Sequence, residues 1–152
     1  MGEIMLYTVG EMAKRLGVSA STLRYYDQEG LLPFVERSSG GIRMFKESDY
    51  EWLKIIECLK KTGMPLKDIR GFVLMAISGD ETIDARLELI IKQQAAVKKQ
   101  IEELQQTLTT LDFKRWYYET AKNAGTTDVP RSMALEDIPE QYRETRKALR
   151  GE

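Results

Sequence analysis

The sequence predicts a mainly α-helical protein: a winged helix-turn-helix domain with a small β-hairpin wing, followed by one long coiled-coil helix. Three observations carry this. Two short amphipathic segments meet at Gly17, a turn-rich stretch over 34–46 holds two strand-like runs, and residues 82–119 keep an apolar seam without Gly or Pro. The expected division is 1–78 for the winged domain, 79–119 for the long helix and 120–152 for a short polar tail.

Each element has a local cause. Thr8-Val9-Gly10-Glu11 is a capping box, with Met12, Ala13 and Leu16 following at helical spacing. Gly17 stops that helix, and Ser19 is a good N-cap for the next, SASTLRYYDQEG. There Leu23 and Tyr26 face inward, while Ser21, Thr22, Arg24 and Tyr25 face outward. Two such helices around a tight turn form a helix-turn-helix. Phe34-Val35-Glu36 and Ile42-Arg43-Met44-Phe45 flank the turn residues Ser38 to Gly41 and predict a hairpin. Ser48-Asp49-Tyr50-Glu51 reads as a second capping box, opening a helix with Trp52, Leu53, Ile55, Ile56 and Leu59 inside. Gly63 ends it. Pro65, placed at a first helical position, opens a fourth helix with Leu66, Ile69, Phe72, Val73 and Ile77 inside.

The long stretch is different in kind. Leu87, Ile90, Gln94, Val97, Ile101, Leu104, Leu108 and Leu111 alternate spacings of three and four, a heptad seam. A helix over 82–119 would be about 55 Å long. A narrow apolar stripe needs a covering partner, and no second amphipathic stretch of matching length exists in the chain. Homodimerisation is therefore expected, with Gln94 helping to fix register. The seam itself leaves parallel and antiparallel pairing open.

Composition removes whole classes of function. The 152 residues include no His and one Cys, Cys58. His-based triads and zinc sites, C-x-x-C redox pairs and thiolate metal clusters are excluded, and a reducing cytoplasmic setting fits. MGEIMLYTVGEM lacks the basic start and apolar core of a leader, and no run is long and apolar enough to span a membrane. With no Gly-rich phosphate loop and no clustered nucleophile and base, an enzyme is not expected, nor is a cofactor or metal.

The winged architecture points to double-stranded DNA, with the second helix in the major groove and the wing on the flanking backbone. Residues 1–78 hold 11 basic and 10 acidic side chains, so folding rather than composition must create the basic face. Arg24 and Tyr25 are placed for phosphate or base edges, and Arg43 lies on the wing. Lys60, Lys61 and Lys67 gather around the Gly63-Met64-Pro65 turn, a second wing-like projection. The residue set for DNA is Ser21, Thr22, Arg24, Tyr25, Tyr26, Arg43, Lys60, Lys61 and Lys67.

Residues 6–70 resemble the MerR family of bacterial transcriptional regulators. The carrying motifs are YTVGEMAKRLGVSASTLRYYDQEGLL, the IRMF stretch of the wing and LKKTGMPLKDI. The resemblance implies antiparallel pairing of the long helix and dimeric binding to a near-palindromic promoter with an overlong spacer. It implies transcriptional control by distorting that DNA, so that RNA polymerase is affected indirectly. By position it carries DNA contact to Arg24, Tyr25 with Tyr26 beside them, Arg43 and Lys60. The paired cysteines of the family's metal sensors have no counterpart here. The lone Cys58 in ECLKKTGMPLKDI is similar to the single-cysteine aldehyde- and thiol-stress subgroup of NmlR and AdhR type, which implies sensing of an electrophilic or oxidative signal.

From the residues alone Cys58 has two readings. Lys54 and Lys61, at i−4 and i+3, favour a reactive thiolate and the adjacent Glu57 opposes it, whereas a lone helical Cys is commonly a small buried hydrophobe. Phe113, Trp116, Tyr117 and Tyr118 read as packing ahead of a ligand pocket. The tail offers a short candidate helix, EDIPEQYRETRKAL, docked by Tyr142 and Leu149 or else partly disordered. Two rivals remain: an architectural, excisionase-like winged protein without an effector, which the long helix disfavours, and a pure coiled-coil scaffold, which needs no wing.

Overall fold

The structure, a computed structural model, describes residues 5–152. Residues 1–4, on which part of the leader argument rests, lie outside the described residues. The chain forms two compact units, Met1–Val97 and Lys98–Glu152.

The first unit opens with β1 (Leu6–Tyr7), α1 (Val9–Leu16) and α2 (Ala20–Gln28). Thr8 Oγ1 accepts from Glu11 N–H, and Ser19 Oγ accepts from Thr22 N–H at 3.1 Å, as the two caps require. Gly17 has φ 74°, and Val18 N–H reaches back to Ala13 C=O at 3.0 Å, so α1 ends in a left-handed turn that a side chain would strain. β2 (Glu36–Arg37) and β3 (Arg43–Lys46) form the wing.

The sheet has a third strand that the sequence reading lacked. β1 pairs antiparallel with β3, Leu6 opposite Lys46 and Tyr7 opposite Phe45, giving the order β1-β3-β2. The wing is thus stitched to the start of the domain.

α3 (Glu47–Lys61) and α4 (Leu66–Ser78) complete the core. The expected box at Ser48 is corrected: the helix begins earlier, with Lys46 as N-cap. Asp49 Oδ2 accepts from Lys46 N–H at 2.8 Å, and Lys46 has no side-chain acceptor to return the bond. Pro65 is likewise the N-cap of α4, one residue before the helix. Tyr26, Met12, Leu23, Phe45, Leu53, Ile56 and Ile69 are fully buried between the helices and the sheet. Trp52 lies between Phe34 and Phe72, ring centroids 6.0 and 6.2 Å away. Ile77, expected inside, is 53% exposed.

A surface tie joins α1 to α3. Arg15 donates to both Glu47 oxygens, at 2.6 and 2.5 Å, and stacks over Tyr50; Tyr7 Oη adds a bond at 2.9 Å. These bonds hold the Glu47 carboxyl down at about 2 against an ordinary 4.5, Arg15 contributing most. The folded value lies below the unfolded one. The tie therefore contributes above pH 4.5 and is lost as pH falls toward about 2. Glu47→Gln is expected to flatten the acid limb of thermal stability across this window, modestly because the pair is at the surface. An unchanged acid limb would refute this.

α5 (Ile83–Ala124) is one uninterrupted helix of 42 residues, ending five residues beyond the expected 119. Its seam is open in the single chain: Leu87, Ile90, Ile101, Leu104, Leu108 and Leu111 are each 41–69% exposed.

In the second unit the tail takes the docked one of its two readings, with a helix over Glu140–Arg150. α6 (Asp128–Ser132) and α7 (Glu140–Arg150) close a small core around Phe113, Ala121, Pro130 and Ile138. Tyr142 of α7 stacks on Trp116 at 5.7 Å and approaches Phe113 at 6.1 Å. Leu149, the other expected anchor, is half-exposed.

Candidate nucleic-acid interface

The outer face of α2 carries Ser21, Arg24 and Tyr25, all exposed. Leu23 and Tyr26 on the opposite face lock the helix into the core, so the backbone of the outer face rests on a rigid support. Thr22 is half-buried, its hydroxyl 2.8 Å from Ser19 Oγ, and serves the turn as much as the surface. Arg24 makes no ion pair among the described residues.

Tyr26 requires a correction. It has no exposed surface and cannot touch DNA. Its role is through Lys60 of α3. The Tyr26 hydroxyl donates to Glu57 Oε1 and accepts from Lys60 Nζ at 3.0 Å, with the ammonium 5.1 Å from the ring centroid. Burial, followed by the bond to Glu57 and its charge, raises the hydroxyl above the ordinary tyrosine range. It therefore stays protonated and fixes an exposed lysine beside α2. Lys61 and Lys67 are exposed on either side of the Gly63 turn, where φ is 86°.

Arg43 is not a free wing arginine. Its Nε and Nη2 bond Asp27 Oδ2 at 2.7 and 2.6 Å, and Arg37 Nη2 reaches the same oxygen at 2.7 Å. Arg37 and Arg43 are direct cross-strand partners. Like charges so placed repel, and Asp27 at the end of α2 offsets part of that repulsion while clamping the wing to the recognition helix. Sequence reasoning missed Asp27, Arg37 and Glu57 as positioning residues. The register across the Ser38–Gly41 turn was the available signal. Asp27→Asn is expected to cost about 1.5–3 kcal/mol of stability, read by urea denaturation. No loss would mean that the clamp carries no stabilisation.

Cys58 is exposed on α3, so the buried-thiol reading is set aside. Among the described residues no group of His, Cys, Asp and Glu could hold a metal, and no helix is long and apolar enough to cross a membrane.

A three-stranded winged helix-turn-helix with an exposed, rigidly backed second helix and flanking lysines defines a DNA-reading protein. Two family models match: the MerR HTH family regulatory protein over residues 7–75 and the MerR DNA-binding region over 50–112. The chain belongs to the MerR family of DNA-binding transcriptional regulators, which are not enzymes. An HTH-type transcriptional regulator of Haemophilus influenzae is 46% identical over 136 residues, covering 90% of this chain and 98% of that one. The regulator AdhR of Bacillus subtilis is 34% identical over 82 residues, 54% of this chain and 59% of its own. Among solved structures, HiNmlR, a MerR family regulator lacking the sensor domain and bound to promoter DNA, matches with TM-score 0.75 and 47% identity. That match covers 82% of this chain and 98% of HiNmlR.

Proposed function

We propose that this regulator acts as a homodimer on a near-palindromic promoter and controls transcription by distorting it, touching RNA polymerase only indirectly. Residues 1–78 read the DNA, 79–119 dimerise through the seam, and 120–152 close the end of the long helix. The observation that carries this is the pairing of an exposed Arg24–Tyr25 face with Lys60 held beside it by buried Tyr26. Ser21, Arg24 and Tyr25 enter the groove. Lys60, Lys61 and Lys67 meet phosphates, Arg43 orients the wing through Asp27, and Thr22 steadies the turn at Ser19. The promoter-bound state of HiNmlR supports the choice of DNA. The open seam from Leu87 to Leu111 supports pairing of two long helices.

Fluorescence anisotropy with DNA from upstream of the gene, against scrambled DNA over a salt series, tests the proposal. Tight, specific binding with a steep salt slope is expected. Equal weak binding to both DNAs would favour the architectural alternative.

The signal is an electrophile met by Cys58. The exposed thiolate sulfur adds to a carbonyl carbon, and the proton it gave up is returned from water to the carbonyl oxygen. Lys54 and Lys61 lie on the same helical face as Cys58. Cys58→Ser is expected to bind the promoter with wild-type affinity yet lose its transcriptional response to aldehydes. An intact response in that variant would sink the sensor reading.

A further inference from the structure

The second unit contains a cavity of about 220 Å³ between the last turns of α5 and helices α6 and α7. Phe113, Tyr117 and Leu149 give it an apolar wall, and Arg131, Arg146 and Arg150 give it a cationic one. Lys114 adds a fourth positive group, its Nζ 4.5 Å from the Tyr117 ring centroid.

Two of these arginines, Arg146 and Arg150, are held by backbone carbonyls rather than by counter-charges. Arg146 Nη1 donates to Met133 C=O at 2.6 Å, and Arg150 Nη2 donates to Arg131 C=O at 2.7 Å. A guanidinium has five donors, so each bond fixes the fork and leaves most of it unused. Arg131 pairs with Asp128 at the rim. Arg146, Arg150 and Lys114 make no ion pair among the described residues. Arg146 Nε is buried and has no hydrogen-bond partner. Arg146 and Lys114 are half-buried, Arg131 and Arg150 exposed; a half-buried guanidinium with an orphaned donor, among further cations, calls for an anion.

The structure assigns this cavity to a small organic anion: a monocarboxylate whose oxygens meet Arg146 and Arg150 and whose ring or short chain lies on Phe113 and Tyr117. The size excludes drug-sized ligands, which need about 300–1,000 Å³. An inorganic anion would satisfy the arginines and leave the aromatic wall bare.

Isothermal titration of the full chain with benzoate, neutral benzamide and inorganic phosphate tests this. Benzoate binds one per chain in the millimolar range or tighter, and both benzamide and phosphate bind about tenfold or more weakly. Arg146→Met weakens benzoate by a similar factor. Because Arg146 also ties down Met133, Arg150→Ala is measured beside it, with helicity checked for both. Absent benzoate binding, equal binding of benzamide, or unchanged binding in both folded variants overturns the assignment. Phosphate binding equal to benzoate overturns the organic ligand as well, leaving an inorganic-anion site only.

Discussion

Replacing Leu104 and Leu108 together by glutamate is expected to make the protein monomeric and to lower its promoter affinity about a hundredfold or more. Both side chains are exposed in the single chain, 69% and 49%, so the charges disturb nothing within it. Across a paired seam they would bury four carboxylates against leucine and isoleucine, which no dimer of this size could absorb. Losing the second DNA-binding module forfeits the effective-concentration gain of a two-site grip, ~10²–10⁴ in affinity. Sedimentation gives the assembly state and anisotropy the affinity, with circular dichroism verifying the helices. A variant that remains dimeric would mean that the seam is not the interface.

The second large effect is at Tyr26. Tyr26→Ala removes a fully buried ring from the core cluster that holds Leu23 and Phe45 and is expected to cost about 3–5 kcal/mol, enough to unfold the first unit at modest temperature. Tyr26→Phe is the sharper probe. The ring stays, but Glu57 and Lys60 lose the hydroxyl between them, at about 1–3 kcal/mol. Lys60 then no longer has a fixed position beside α2, and promoter affinity falls with it. Lys60→Ala alone should produce a similar loss and lower the salt slope by about one phosphate contact. The double variant should lose little more than either single one, because both substitutions break the same arrangement. Full additivity would separate the tyrosine from the lysine.

These two cases also mark how far the sequence was legible. The caps at Thr8 and Ser19, the stop at Gly17 and the seam of α5 depend on residues a few positions apart. Their chemistry is written locally. The outer face of α2 was legible for the same reason, since periodicity places Arg24 and Tyr25 opposite Leu23 and Tyr26. β1 was not, because Leu6–Tyr7 has no period and becomes a strand only by meeting β3. Asp27 and its two arginines were hidden in strand register, which a turn sequence constrains but does not declare. Tyr26 carries two roles at one position. Its inward direction could be read, but its link to Lys60 depends on how α2 and α3 pack. The C-terminal helices were underestimated because their core is aromatic stacking between distant segments, Tyr142 on Trp116, in a stretch of polar composition.

The arrangement of aromatic rings has a practical consequence. The chain has two tryptophans, and each compact unit contains one. Trp52 reports on the packing of Phe34 and Phe72, and Trp116 on the seating of α7 through Tyr142. With Trp116→Phe and Trp52→Phe as a pair, the emission of a single indole follows one unit at a time. A melting curve, a DNA titration and a ligand titration can each be attributed to the unit that responds, without any attached dye.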